Sequence, residues 1–226
     1  MFSAFRLALV QLPEKKFRSV LLRSLGLTVL LFAIFWIGAA WSWPSEGFFG
    51  INWLDRGMEW AAGFLGIGAM IVLLIPVASM FVAIFLDEIA DAVEARFYAH
   101  DAPGREQPLS EAIWVGLKFT ALVIVLNILI LPFYLIGIGF IAFFVLNGYL
   151  LGREYFEMVG VRHQTIDEVK QVRRANGAMV FVCGALMAFL LTIPIVNFFI
   201  PVVGTAFMVH VYKRIRGSTP AQVVVA

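Results

Sequence analysis

Between Lys118 and Arg153 the chain reads FTALVIVLNILILPFYLIGIGFIAFFVLNGYLLG (119–152), 34 residues without a charge and with Pro132 near the middle. A helix needs about 20 apolar residues to span about 30 Å of hydrocarbon, so two crossings plus a turn need a little over about 40. Splitting this run at a turn leaves legs of roughly 15 to 17 residues, short of two full crossings. The stretch therefore reads as a helical hairpin that enters the membrane without fully emerging. Residues 175–212 form a second run of 38 uncharged residues, interrupted by Pro194 and Pro201, and read the same way. Six short crossings are the alternative, because the bounding Lys118, Arg153, Arg174 and Lys213 are long cations able to snorkel toward headgroups.

Two further charge-free gaps, the 22 residues 24–45 and the 27 residues 60–86, are each long enough for one crossing helix. The whole chain, 226 residues, is 62% hydrophobic and only 14% charged, against about 25% charged in globular proteins, so its excess apolar surface must face lipid. Disorder, a collagen-like fibre and a disulfide-stapled secreted module are excluded, the last because Cys183 is alone. The expected fold is an all-α integral membrane protein with two transmembrane helices plus two partly penetrating helical hairpins. It reads as one membrane domain over 1–216: an interfacial N-terminal helix (1–18), a first crossing helix (20–45), a second with a cytoplasmic extension (57–97), a first hairpin (111–153) and a second (166–214), then a flexible tail (217–226). A hairpin tip at membrane depth must be buried in protein or wet, so partial hairpins imply a homo-oligomer or a water-filled cavity.

Orientation follows from the cations. The first 23 residues carry Arg6, Lys15, Lys16, Arg18 and Arg23, whereas the stretch from Trp43 to Trp60 has only Arg56, which places both termini in the cytoplasm. Trp36, Trp41, Trp43, Trp53 and Trp60 flank the outer loop as an interfacial aromatic belt does. Phe2, Phe5, Leu9 and Leu12 recur at helical spacing opposite Ser3, Arg6 and Gln11, so the N-terminus is expected to lie on membrane lipid until Pro13 ends it. The long first apolar stretch and the polar chain before it argue against a cleaved signal peptide.

The chemistry-bearing residues are few. Asp87 and Asp91, one helical turn apart, read as a solvated acidic face; the alternative, chelation of a diphosphate-bound Mg²⁺, lacks a second aspartate-rich motif. Thr165 and Glu168 form a capping box ahead of a helix that carries Lys170, Arg173 and Arg174 and runs on into the second hairpin. Those cations either anchor the helix on the cytoplasmic side or gather anions at a pore mouth. Arg153 and Glu154 pair with each other or with Arg162 and Glu157. His100, His163 and His210 are isolated, so no metal site is expected, and the absence of a nucleotide or hydrolase motif argues against an enzyme or a self-contained pump. In TIPIVNFFIPVVGTA (192–206), Pro194 and Pro201 bracket Asn197; each proline would free a carbonyl that Asn197 either satisfies or replaces as the lining of a wet cavity. Asn127 reads as a polar contact between helices.

The segment 192–206, together with NGYLLGREYFE (147–157), resembles the CysZ family, grouped with the etoposide-induced membrane-protein domain, and the similarity runs from Phe5 to Arg214. The resemblance implies an oligomeric bacterial inner-membrane protein that takes up sulfate for sulfur assimilation, an ATP-independent transporter or channel with no cofactor and no nucleic-acid partner. It also implies an anion contact at a Gly-Leu-Arg motif before the first crossing helix. Here the matching residues are Lys16-Phe17-Arg18, so Arg18 is kept, the glycine and leucine are not, and Lys16 adds a charge. Lys16 and Arg18 are thus the expected anion contacts, and Pro132, Arg153, Glu154, Pro194, Asn197 and Pro201 the expected pathway or hairpin residues. A non-transporting membrane organiser or partner-docking protein of the same domain family is the alternative.

Overall fold

The computed structural model describes residues 1–42, 49–105 and 109–221, and every regular element among them is an α-helix. Trp43 of the expected aromatic belt, the end of the first crossing helix (43–45) and the last five residues of the expected flexible tail lie outside the described residues. Three helices are long and apolar enough to cross a membrane: α2 (Lys15–Ser42), α3 (Asn52–Ala83) and the Leu117–Leu135 portion of α5 (Leu109–Leu135). At 1.5 Å per residue α2 and α3 are about 42 and 48 Å long. They pack on each other with the Trp36 ring seated on Gly66, and most of their apolar surface is left facing outward. This is a multi-pass α-helical membrane protein.

The span count differs from the two crossings expected, and the reason lies in the first hairpin. Counting legs between bounding charges treats a cation as the end of a helix, but α5 starts nine residues before Lys118, and its partner α6 (Gly139–Gly160) continues past Arg153. The legs are therefore about 40 and 33 Å long. Nor does the chain turn at Pro132. The helix runs through that residue to Leu135, and the reversal falls at Gly137, whose φ of +81° suits a residue without a Cβ. There Ile138 N–H donates to the Phe133 carbonyl (3.1 Å) and Gly137 N–H to the Tyr134 carbonyl (3.3 Å), the Schellman pattern that satisfies carbonyls left over at a helix end.

The second hairpin is built differently. After α7 (Ile166–Ala175) the chain bends by 90° into α8 (Gly177–Leu191), so the expected continuous helix from Ile166 is two helices. A single-turn α9 (Pro194–Asn197) then leads to α10 (Ile200–Ile215). With 15 and 16 residues, α8 and α10 reach about 22 to 24 Å, less than the hydrocarbon thickness. Pro194 and Pro201 lie in the first turns of α9 and α10, where a backbone N–H is not needed, so neither proline strips a helix of a bond. Asn197 accordingly caps nothing with its side chain: its backbone N–H donates to Ile193 (2.8 Å), and Thr205 donates to the Pro201 carbonyl (2.8 Å). Asn127 likewise donates within its own helix, to Val123 (2.8 Å), and not to a neighbour.

The core forms around α10, whose residues from Ile200 to Lys213 are all buried. A helix apolar on every side must be surrounded, and α10 touches α1 (Phe2–Gln11), α4 (Leu86–Phe97), α6 and α8. The most extensive contact is between α6 and α8, and small residues make it possible. Gly148 and Gly152 of α6, spaced GxxxG, face Gly184 of α8 so closely that a Cβ on Gly184 would lie 2.7 Å from the Gly152 Cα. Helix α1 lays Ala4, Ala8 and Gln11 against the core, with Phe5 edge-on to Phe207 at 5.5 Å, while Phe2, Leu9 and Val10 stay exposed. Gln11, expected on the polar face, is fully buried.

Candidate functional site

Helix α4 begins with Asp87 and Glu88 in its first turn and ends with Arg96 in its last, which suits the helix dipole. Ile89, Val93 and Phe97 are buried on one face, and Asp87, Asp91 and Glu94 line another at i, i+4 and i+7. Asp87 and Asp91 are exposed, as a solvated acidic face would be, while Glu94 is buried. Arg162, with its side chain only 3% exposed, lies across all three carboxylates: Nη1 is 3.0 Å from Asp87 and Nη2 3.5 Å from Glu94, and Nη2 also donates to Asp91. Gly104 lies against the guanidinium, where a Cβ would stand 2.7 Å from Nη2, and Arg105 holds that loop down by donating from Nε to the Val161 carbonyl (3.0 Å). His163 Nε2 meets the other Glu94 oxygen at 2.7 Å, its ring stacks on Tyr212 at 5.8 Å, and Tyr212 donates to Gln164 (2.8 Å). Burial alone would raise the Glu94 carboxyl, but the His163 hydrogen bond and the charges of His163, Arg162 and Lys213 outweigh it and hold the group below its ordinary range.

A second cluster joins α6 to α7. Glu157 accepts from Arg153 Nε (3.1 Å) and lies 2.9 Å from Arg173 Nε, and the Arg153 guanidinium is 5.9 Å from the Phe119 ring centre. Of the pairings open to Arg153 the fold selects Glu157. Glu154 is exposed and forms no ion pair among the described residues, and Arg162 is taken by α4. The capping box forms as expected: Glu168 N–H donates to Thr165 Oγ1 (3.4 Å) and Thr165 N–H to Glu168 Oε2 (2.9 Å). At the end of α10, Lys213 pairs with Asp101 (3.1 Å), and Tyr98 and His210 share a hydrogen bond at 2.9 Å.

These pairs sort the cations at this end of the bundle. Arg23 is bound to Glu88 (3.2 Å), Arg96 to Glu14, and Arg153, Arg162, Arg173 and Lys213 to the partners above. Lys16 and Arg18 are exposed in the first turn of α2 and form no ion pair or side-chain hydrogen bond among the described residues. Phe17 between them is completely buried and anchors the turn. With Lys15, which is likewise exposed, three cations without a carboxylate partner among the described residues thus stand at the positive end of a helix, an arrangement that attracts anions.

The expected pathway residues do not converge on that point. Pro194, Asn197 and Pro201 belong to the tip of the second hairpin, a helix length of about 24 Å from the charged end of α10, and Pro132 lies just before the tip of the first. Arg153 and Glu154 sit on α6 near Arg173. Sequence reasoning passed over the Arg162 cluster, although the unusual spacing of Asp87, Asp91 and Glu94 on one face was a sign that a cation must cover them. Neither a curated protein nor a solved structure matches the chain. The match that exists is at the level of a family and spans α1 through the start of α10: the model of the sulfate transporter CysZ/etoposide-induced protein 2.4 family matches residues 4–201, and the chain belongs to that family.

Proposed function

We propose that the protein is an ATP-independent transporter or channel of the bacterial inner membrane for a small oxyanion, sulfate first, with both termini cytoplasmic. The observation that carries this reading is the family match over residues 4–201, to a family of transporters rather than of enzymes. Lys16 and Arg18, with Lys15 beside them, attract the anion, because no carboxylate among the described residues pairs with these cations at the head of a membrane-crossing helix. The Arg162, Arg153 and Lys213 clusters hold the helices around them in place. Copies of the chain associate through α5: none of its apolar window is buried within the chain, and an apolar groove of about 660 Å³ runs between α5 and α6. Sulfate uptake into proteoliposomes of the purified protein, with Arg18→Ala alongside, tests the proposal. Uptake above that of protein-free liposomes, reduced by the substitution, supports it; uptake no greater than theirs contradicts it.

A further inference from the structure

A cavity of about 350 Å³, with polar groups set among the apolar Ala4, Leu7 and Pro220, opens where α1, the end of α4 and the end of α10 meet. Its walls include Ser3, Tyr98, His210, Arg214, Ser218 and Thr219. The local fold that makes it is specific. Helix α10 ends in a second Schellman motif, with Gly217 at φ +84°, Ser218 N–H on the Lys213 carbonyl (3.0 Å) and Gly217 N–H on the Arg214 carbonyl (3.1 Å). The chain then folds back until Ala221 N–H reaches the Phe97 carbonyl (2.9 Å), so the expected flexible tail is, as far as residue 221, a wall of this cavity.

We infer that this cavity is a binding site for a phosphate-type oxyanion, carried either by a phospholipid headgroup or by a free anion. Among the described residues the Arg214 guanidinium meets no carboxylate, and its one partner is the Ser3 hydroxyl, at 3.4 Å. Asp101 is paired with Lys213 at 3.1 Å, and Arg214 is the one acidic or basic side chain among the described walls of the cavity apart from His210. Around it stand the hydroxyls of Ser3 and Thr219, and an arginine fork with hydroxyl donors is the set that recognises tetrahedral oxyanions. His210 adds the inner wall. It is 2% exposed, its Nδ1 shares a hydrogen bond with the Tyr98 hydroxyl, and its Nε2 is buried without a partner among the described residues; when Tyr98 donates to Nδ1, Nε2 carries the proton and donates to a ligand oxygen. The exposed apolar side chains of Phe2, Leu9 and Val10 on the adjacent α1 give a lipid an acyl surface next to the cavity.

The test is the dissociation constant of inorganic phosphate and of dihexanoylphosphatidylglycerol, measured by thermophoresis on the full chain in detergent. It is made on the wild type, Arg214→Gln, Ser3→Ala and, as a control, Arg56→Gln near the start of α3. Arg214, Ser3 and Arg56 are exposed, so their replacement leaves the core intact. The expected result is binding to the wild type, weakened about tenfold or more by Arg214→Gln and severalfold by Ser3→Ala, and unchanged in Arg56→Gln. Binding of the lipid alone identifies a headgroup site, and binding of phosphate a free-anion site. A wild type that binds neither, an Arg214→Gln variant that binds like the wild type, or an equal loss in Arg56→Gln overturns the inference. The walls of this cavity are other residues than Lys16 and Arg18, so failure of the transport reading leaves this outcome untouched.

Discussion

Arg162 shows what a single buried charge does here. Its side chain is almost wholly enclosed and faces the exposed Asp87 and Asp91 and the buried Glu94 of another helix, so removing the cation leaves a buried carboxylate with only His163 beside it. Arg162→Ala is expected to destabilise the protein by about 3 to 5 kcal/mol, read as a lowered unfolding midpoint in detergent. The same cluster sets an acid limit. Glu94 is held below its ordinary carboxyl range, so its contribution is complete above about pH 4.5 and is lost as the pH falls through the lowered value. Thermal stability is therefore expected to decline below about pH 4.5, and Glu94→Gln, with a lower starting stability, to show a shallower acid decline. An equal slope in the two proteins would show that Glu94 is not the titrating group. Individual charges were legible in the sequence but their partners were not, because Arg162 lies 68 to 75 residues away from the acids it binds and only the packing of α4 and α6 on α10 brings them together.

At the level of the element, backbone proximity decides which glycines matter. Gly184 sits against Gly148 and Gly152 with no room for a Cβ, whereas Gly26 on α2 has nothing within 4 Å of where its Cβ would be. Gly184→Ala is expected to cost about 3 kcal/mol by forcing α6 and α8 apart, and Gly26→Ala to be neutral or slightly stabilising; unfolding midpoints of the two variants measure the contrast. If both variants unfold like the wild type, the close α6–α8 packing is wrong. The Gly148-x-x-x-Gly152 spacing was visible in the sequence, but the partner glycine on α8 was not, since its spacing to α6 carries no periodic signal. Helix ends show the same division. The capping box at Thr165 could be read locally because all its atoms lie within four residues. The turn between α5 and α6 was misplaced because proline was given more weight than Gly137, although a proline within a membrane helix is tolerated where neighbouring groups meet the carbonyl it frees.

For the whole molecule, charge gaps located the apolar segments but underestimated helix length, because a helix continues through Lys118 or Arg153 while its hydrocarbon contact ends there. The result is three helices long and apolar enough to cross, beside a shorter pair in α8 and α10. The paired charges gather at the end of the bundle where α1, α4, α7 and the end of α10 lie, and most of them are spent on holding those elements together. Lys16 and Arg18 stand outside that set, and the proposed anion contact rests on them. Uptake of radiolabelled sulfate by proteoliposomes holding the wild type or the Lys16→Gln/Arg18→Gln double variant tests that contact most directly. Initial rates are compared at low external sulfate with equal amounts of folded protein. Uptake above protein-free liposomes, falling about tenfold or more in the double variant, is the predicted result; sulfate uptake by the wild type no faster than by protein-free liposomes would contradict the account.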